Sequence, residues 1–262
     1  MITAGVDVGN MFTKALLQEG GRVLSYAILA SGLDRKRAAR ETFRQALIKA
    51  GVTEDDVCNV FSTGAGQDEV DFAAGTVTDI TAAARGTLKI FPMARIVADV
   101  GAEGAKVLKT DDDGRVLGFT INEKCAAGTG SFLETMGRAL GVQLEELGPL
   151  SLEAERAVTI NAQCAVFAES EVVSLIHAKV PREVIARSIH EAMAGRVSSM
   201  VRRVGLQKKL ALIGGVARNK GFAAALEKDL DAKLLIDDEK PEFLCALGAA
   251  LLAAERDAGQ LP

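Results

Sequence analysis

Two segments of this chain share a pattern of residues suited to binding phosphate and a divalent cation. Residues 6–28 and residues 98–121 each begin with an apolar strand that runs into an aspartate, a glycine and, further along, a lysine. The aligned pairs are Asp7 with Asp99, Gly9 with Gly101 and Lys14 with Lys106. This repetition predicts two related domain halves, each of which presents an acidic glycine turn to a shared cleft.

The chemistry of such a turn follows from its residue types. Backbone N–H groups that follow a strand can surround phosphate oxygens, and glycine permits the close approach. A carboxylate repels phosphate, so we expect Asp7 and Asp99 to hold Mg²⁺ through water and to position a water molecule. Lys14 could neutralise phosphate charge. A third strand–helix junction carries Gly214 and Gly215, and the absence of a GxxxxGK[ST] loop excludes a P-loop NTPase.

Composition narrows the class of protein. The 262 residues are 48% hydrophobic and 25% charged, with a net charge of −4, which is ordinary globular composition. The chain has no basic run, so nucleic acid is not an expected partner. It has no apolar stretch of the roughly 20 residues that a membrane helix needs, and no basic leader precedes the first strand. We therefore expect a cytoplasmic protein whose four cysteines are reduced.

Hydrophobic periodicity predicts α/β elements throughout the chain. The expected strands are a meander over 2–30, a strand over 57–62, a second meander over 95–121, and strands over 210–213 and 233–236. The expected helices cover 34–51, 79–89, a stretch ending near 140, a stretch after Cys164, 181–204, 219–230, and an Ala-rich stretch from about 242. We expect a first half over 1–90 and a second over 91–262, with the last helix able to pack back on the first half.

The paired turns and the segment Leu-Ile-Gly-Gly-Val-Ala-Arg-Asn at 212–219 resemble the actin, Hsp70 and sugar-kinase superfamily of ATPases. The resemblance implies an α/β fold of duplicated ribonuclease-H-like halves with ATP in the cleft between them. It also implies donors of backbone N–H groups to the phosphates, namely Gly9, Asn10, Gly101 and Ala102. Gly214 and Gly215 would approach the adenosine.

Two cysteines lie in distinctive segments. Cys125 and Cys164 each precede a predicted helix, where the positive end of the helix dipole favours anionic groups. The alternative is that both are buried and inert, as we expect for Cys58 and Cys245. Two thiolates fall short of the four that a cubane iron–sulfur cluster takes. A twofold dimer would supply the other two, because its axis brings identical residues together.

The cysteine segments, Lys-Cys-Ala-Ala-Gly-Thr-Gly-Ser-Phe-Leu-Glu at 124–134 and Cys-Ala-Val-Phe-Ala-Glu-Ser-Glu-Val-Val-Ser-Leu at 164–175, resemble a specific family. It comprises the activators of 2-hydroxyacyl-CoA dehydratases and the ATPase subunits of benzoyl-CoA reductases. The resemblance implies a dimer with one 4Fe–4S cluster at its interface, bound by Cys125 and Cys164 and by two cysteines of the partner. It further implies ATP or ADP with Mg²⁺, a ferredoxin-type electron donor, and electron transfer to a CoA-ester enzyme. The nucleotide-binding residues it implies are Gly9, Asn10, Thr13, Lys14, Gly101, Ala102, Glu103, Lys106, Gly128, Gly130, Gly214, Gly215 and Asn219.

The second turn departs from the family pattern DIGGQDxK. Ala102, Glu103 and Gly104 stand where that pattern has glycine, glutamine and aspartate. This form favours the D-type subunit of class I benzoyl-CoA reductase, which pairs with a homologous A-type subunit, over a homodimeric dehydratase activator. Two other classes stay open, a sugar- or acetate-type kinase and a metal-free regulatory ATPase.

Overall fold

The computed structural model describes residues 1–123, 126–160, 164–257 and 259, which form a mixed α/β fold. The strands are β1 Ile2–Val8, β2 Phe12–Glu19, β3 Arg22–Ala30, β4 Val57–Thr63, β5 Gly75–Thr76, β6 Ile96–Val100, β7 Ala105–Thr110, β8 Val116–Asn122, β9 Leu210–Ile213 and β10 Leu234–Leu235. The helices are α1 Arg35–Ala50, α2 Asp79–Ile90, α3 Gly130–Leu140, α4 Leu144–Glu153, α5 Ala165–His177, α6 Arg182–Val204, α7 Lys220–Leu230 and α8 Leu244–Asp257.

The chain divides into two compact units. The first consists of Met1–Ala94, Thr110–Leu117 and Glu242–Pro262, and the second of Arg95–Lys109 and Gly118–Pro241. The structure assigns α8 to the first unit, on which the sequence analysis allowed the last helix to pack. The short segment over 110–117, which carries the β-hairpin turn of the second meander, is also grouped with the first unit.

The first unit is built on a five-stranded sheet in the order β3-β2-β1-β4-β5. β1, β2 and β3 are antiparallel neighbours, and β4 runs parallel to β1. Helix α1 covers one face, where Phe43 packs with Val6 and Leu17. Helix α8 covers the other face, where Leu16 packs with Leu247.

Close backbone packing explains why α8 belongs to the first unit. A Cβ atom built on Gly5 of β1 would overlap the carbonyl of Ala246, and one built on Gly86 of α2 would overlap the carbonyl of Leu244. Glycine and alanine therefore let β1, α2 and α8 approach to backbone contact. Thr3 strengthens the junction by donating its hydroxyl to the Ala250 carbonyl at 2.7 Å.

The second unit repeats the topology in a sheet of order β10-β9-β6-β7-β8. β7 is antiparallel to β6, and β9 runs parallel to β6 on its other side. Its core contains a large apolar cluster that includes Phe132, Met136, Ile185, Met193 and Phe222. The predicted duplicated α/β fold is confirmed by this shared strand order.

Helix α4 is an element that the sequence analysis missed. It contains Gly148 followed by Pro149, a dipeptide typical of turns rather than helices. Tertiary packing against α6 and α7 explains the helix, because a side chain at Gly148 would collide with Asn219 at the start of α7. Among the described residues, no helix combines the length and apolarity needed to cross a membrane.

Candidate functional site

The first acidic turn holds an aspartate and a lysine in contact. The strand register places Asp7 of β1 directly opposite Lys14 of β2 and beside Thr63 of β4. The Lys14 Nζ lies 2.9 Å from the Asp7 Oδ2, and the two side chains are 16% and 10% exposed. A largely buried carboxylate and ammonium thus meet at the end of β1, where both can act on a bound phosphate or cation.

The second unit repeats this pairing. Asp99 of β6 lies opposite Lys106 of β7 and beside Ile213 of β9. The Lys106 Nζ lies 3.3 Å from a carboxylate oxygen of Glu123, at the end of β8. The two turns therefore have the same strand register. The neighbour of the aspartate on the parallel strand differs, because it is the hydroxyl residue Thr63 in the first unit and the aliphatic residue Ile213 in the second.

Hydrogen bonds within the turns already engage two of the predicted phosphate donors. The Gly9 N–H donates to the Phe12 carbonyl at 3.1 Å, and the Gly101 N–H donates to the Gly104 carbonyl at 2.8 Å. These bonds close each hairpin in the same way. In this conformation the N–H groups of both glycines therefore already have an acceptor within their own turn.

The tip of the first turn is supported by neighbouring side chains. Asn10 is exposed, and its Oδ1 accepts a hydrogen bond from Arg35 at the start of α1, at 3.2 Å. Arg35 therefore places a positive charge beside the first turn. The sequence analysis did not predict a role for this residue. Glu103 occupies the tip of the second turn and is also exposed.

Thr13, predicted to bind nucleotide, lies behind the first turn. It is fully buried, and its hydroxyl is 2.9 Å from that of Ser31. Ser31 in turn donates its hydroxyl to the Gly9 carbonyl at 2.7 Å and its N–H to the Met11 carbonyl at 2.9 Å. Thr13 and Ser31 therefore support the first turn from the protein interior. Ser31 lies outside the turn motif, so the motif did not predict it.

A glycine follows the parallel strand next to each aspartate. Gly64 after β4 has a φ of +87°, and Gly214 after β9 has a φ of +88°. A Cβ atom would lie 2.5 Å from the Asp7 Oδ1 at Gly64 and 2.6 Å from the Asp99 Oδ1 at Gly214. Gly64 is thus the counterpart of the predicted Gly214. The strand-ending Thr-Gly-Ala-Gly at 63–66 is the sequence signal that could have revealed it.

Gly215 and Asn219, two of the predicted nucleotide-binding residues, lie in different surroundings. Nothing lies within 4 Å of a Cβ atom built on Gly215, so a ligand has room to approach its backbone. Asn219 instead begins α7, where its Oδ1 accepts the Phe222 N–H at 2.9 Å and lies 3.0 Å from the Nε2 of His190. The side chain of Asn219 is therefore engaged in packing α7. Burial lowers the pKa of His190, which favours the neutral imidazole.

Gly128 and Gly130 connect the Cys125 region to the second turn. The Gly130 N–H donates to the Gly101 carbonyl at 2.9 Å. A Cβ atom on Gly130 would lie 3.1 Å from the Ala102 Cα, and Gly128 has a φ of +109°. Gly130 thus allows the start of α3 to lie against the backbone of the second turn.

Cys164 begins α5 as its N-terminal cap residue and is partly exposed. Val166 and Phe167 follow it and are 66% and 65% exposed. Cys125 lies outside the described residues, within which no three His, Cys, Asp or Glu side chains group to hold a metal ion. Of the two cysteines expected to be buried, Cys245 is buried.

Cys58 is exposed, which corrects the expectation that it faces the core. It occupies the second position of β4, and the following residues Asn59, Val60 and Phe61 are all buried. Burial in β4 thus begins one residue after Cys58.

A distant solved structure defines the class of fold. The ROK family glucokinase of Streptomyces griseus, solved with glucose and AMPPNP, superposes with a TM-score of 0.61 at 15% identity, covering 97% of this chain and 100% of the glucokinase. At this identity the likeness concerns the fold alone. The chain therefore has a sugar-kinase-like fold, as the repeated turns predicted.

The family follows from closer comparisons. The model of the BadF/BadG/BcrA/BcrD ATPase family matches residues 4–253, and the chain belongs to that family, as predicted. It is 37% identical over 254 residues to the 2-hydroxyisocaproyl-CoA dehydratase activator of Clostridioides difficile, covering 97% of this chain and 95% of that protein. The solved structure of that activator with bound ADPNP superposes with a TM-score of 0.92 at 34% identity, covering 100% of this chain and 98% of the activator.

The other branch of the family is also represented. The chain is 32% identical over 268 residues to the D-type subunit of benzoyl-CoA reductase from Thauera aromatica, covering 97% of this chain and 94% of that relative. Of these two relatives the dehydratase activator is the more similar, whereas the form of the second turn had favoured the reductase component.

Proposed function

We propose that this chain binds ATP with Mg²⁺ and uses it to drive low-potential electron transfer to a CoA-ester enzyme. The observation that carries the proposal is the repeated pairing, in strand register, of an aspartate with a lysine beneath a glycine turn. Membership of an ATPase family supports it, as does the ADPNP bound to the related activator.

The roles of the residues follow from their chemistry. Asp7 and Asp99 would hold Mg²⁺, since carboxylate oxygens are favoured by this hard cation, and would position the attacking water. The ammonium groups of Lys14 and Lys106 each interact with a carboxylate and would also interact with the phosphates of the nucleotide. Gly215 lets the nucleotide approach the backbone, where a Cβ atom would meet nothing within 4 Å.

The cysteines provide the second part of the proposal. Cys164 fits a 4Fe–4S ligand because it is partly exposed at the start of α5, where the positive end of the helix dipole favours a bound anionic group. Cys125 is the second proposed ligand, and two further thiolates come from a second copy or a homologous chain. Such a cluster, when bound, supplies a one-electron carrier of low potential. The exposed Val166 and Phe167 beside Cys164 suit a surface that another chain covers.

The partner enzyme is proposed from the two branches of the family. The higher identity to the dehydratase activator favours a homodimer that serves a 2-hydroxyacyl-CoA dehydratase and accepts electrons from a ferredoxin-type donor. A second candidate, the D-type subunit of a benzoyl-CoA reductase paired with a homologous subunit, is favoured by the Ala-Glu-Gly sequence of the second turn.

Purification without oxygen, followed by iron and acid-labile sulfide analysis and native mass, tests the proposal. We expect about four irons for each dimer, lost on brief exposure to air. A stable homodimer favours the activator, whereas a monomer that assembles only with a homologous chain favours the reductase component. An iron-free monomer that binds ATP with high affinity would contradict the cluster. It would favour a sugar- or acetate-type kinase or a metal-free regulatory ATPase.

Matched cysteine variants locate the ligands. Cys164→Ala should lose iron while the secondary structure measured by circular dichroism is retained. Cys58→Ala is the control, because Cys58 is exposed on β4 in the first unit and is not a proposed ligand. Equal iron content in the two variants would contradict the assignment of Cys164.

A further inference from the structure

Arg35, the first residue of α1, lies beside the first turn and beside the loop that follows β4. Its guanidinium donates a hydrogen bond to the Asn10 Oδ1 at the tip of the turn, at 3.2 Å. Its aliphatic stem lies against the loop, because a Cβ atom built on Gly66 would be 3.2 Å from the Arg35 Cδ. The side chain is half-buried, and all of these contacts lie within the first unit. The guanidinium is therefore held in place next to the turn.

The charge of Arg35 is not balanced by a neighbouring carboxylate. Asp34 caps α1 by accepting the Arg37 N–H at 2.9 Å, and Asp71 pairs with Lys36 at 2.9 Å. In the part of the chain that the structure describes, no carboxylate lies within ion-pair distance of the Arg35 guanidinium, which contacts a neutral amide. A guanidinium has five N–H donors in a planar fork and can bind two oxygens of one phosphate. Arg35 can therefore bind an anion while it keeps its present contact.

Two other donors of the first turn already have acceptors. The Gly9 N–H donates to the Phe12 carbonyl at 3.1 Å. The Lys14 ammonium lies 2.9 Å from the Asp7 carboxylate, and these largely buried groups compensate each other's charge. Of these groups, Arg35 is the cation whose charge is not shared with a carboxylate.

The tips of the two turns differ in charge. Glu103 occupies the tip of the second turn and is exposed, and the Lys106 ammonium in that turn lies 3.3 Å from the Glu123 carboxylate. The first turn instead has the neutral Asn10 at its tip, in contact with the Arg35 guanidinium. The first turn is therefore the better suited of the two to a highly charged phosphate.

We propose that Arg35 is a phosphate-binding residue that holds the terminal phosphate of ATP at the first turn. This inference rests on the proposed function, in which Arg35 has no role. The terminal phosphate carries the most charge and has three free oxygens, so it gains more than the inner phosphates from a guanidinium fork. The hydrogen bond to Asn10 keeps the guanidinium at the turn tip, and the contact with Gly66 restricts its stem.

The affinities of the full-length chain for Mg²⁺-ADPNP and for Mg²⁺-ADP, measured by isothermal titration calorimetry, test this proposal. Arg35→Gln should weaken binding of ADPNP by about tenfold to a hundredfold, the range for hydrogen bonds to charged groups. Binding of ADP should weaken by less than about threefold, because a weak, screened interaction with the inner phosphates is all that is lost. Arg35→Lys keeps the charge but not the fork, so its loss of ADPNP affinity should be intermediate.

The control makes the same change in charge on the same helix. Arg37 is exposed in the first turn of α1 and does not contact the phosphate turn. Arg37→Gln should keep both affinities within about twofold, since a screened surface charge contributes little. Urea unfolding of every variant shows whether the first unit is intact.

A second variant separates phosphate binding from support of the turn. Asn10→Ala removes the amide oxygen through which Arg35 contacts the tip. If Arg35 acted only through Asn10, Arg35→Gln would cause no further loss in the Asn10→Ala background. Direct binding predicts that Arg35→Gln weakens ADPNP by about tenfold in that background as well.

Three results would each overturn the inference. They are unchanged ADPNP affinity in Arg35→Gln, equal losses of ADPNP and ADP affinity, and a loss that disappears in the Asn10→Ala background. The failure of the proposed function gives a different result. A wild-type chain that bound neither nucleotide would refute the ATP site and the inference with it. An iron-free chain that still bound ADPNP after anaerobic purification would refute the cluster alone, and the measurements on Arg35 would still decide its role.

Discussion

Replacement of Gly64 by alanine should damage both the stability of the first unit and its affinity for ATP. Gly64 has a φ of +87°, and a Cβ atom there would lie 2.5 Å from the Asp7 Oδ1 and 2.7 Å from the Val8 carbonyl. The first of these contacts is about 1 Å shorter than an ordinary van der Waals separation. Either the glycine turn or the Asp7 carboxylate must therefore move.

The magnitude follows from two separate effects. A non-glycine residue held in the left-handed region costs about 1–2 kcal/mol. Displacement of Asp7 from Lys14 disturbs a largely buried ion pair, and overpacking of this kind typically costs about 1–3 kcal/mol. We therefore expect Gly64→Ala to lower the free energy of unfolding by about 2–5 kcal/mol.

A second left-handed glycine separates the two effects. Gly51 has a φ of +69°, ends α1, and has nothing within 4 Å of its Cβ position. Gly51→Ala should lower the free energy of unfolding in urea by only about 1–2 kcal/mol and leave ATP affinity unchanged. Gly64→Ala should weaken ATP binding at least about tenfold, equivalent to about 1.4 kcal/mol. Equal losses of stability in the two variants, with unchanged ATP affinity, would refute the reasoning.

Three further predictions concern other contacts. Lys14→Met leaves the buried Asp7 carboxylate without this ammonium, so urea unfolding should show a loss of about 3 kcal/mol; a loss below about 0.5 kcal/mol, typical of surface pairs, would contradict it. Burial lowers the pKa of His190, so the unfolded chain takes up its proton first and stability should fall as pH drops below about 6.5, by up to about 1.4 kcal/mol per pH unit. His190→Gln should remove this slope between pH 6.5 and 5, and the exposed-site control His177→Gln should keep it; identical slopes would exclude His190 as the cause. Gly86→Ala should lower the melting temperature because its Cβ atom would overlap the α8 backbone, whereas Gly195→Ala, in open space on α6, should raise stability by about 1 kcal/mol; equal tolerance of both would count against close packing of α2 and α8.

Local patterns explain what could be predicted from the sequence. The repeated strand, turn and lysine predicted two equivalent meanders, and the pairing of Asp7 with Lys14 and of Asp99 with Lys106 is the same in both. Apolar periodicity likewise predicted α6, which covers Arg182–Val204. Alternation and helical periodicity depend on neighbouring residues, so a single sequence is enough to detect them.

Long-range contacts explain what the sequence analysis missed. Helix α4 forms in spite of its internal Pro149 because its glycine side packs against the start of α7. Ser31, which follows β3, was not predicted, yet its hydroxyl lies 2.9 Å from that of Thr13 and donates to the Gly9 carbonyl in the first turn. In each case the deciding partner is distant along the chain, so no local pattern reports it.

The sequence by itself therefore determined the α/β class, the duplication and the acidic glycine turns, because short-range spacing encodes all three. The ATPase family was indicated by the resemblance of the two cysteine-containing segments to that family. Only the tertiary structure decided that α8 completes the first unit, that Gly64 stands against Asp7 as Gly214 stands against Asp99, and that Ser131 of α3 donates to the Ala102 carbonyl in the second turn. These contacts join residues from different strands and helices, and their distances are set by how the sheets and helices pack.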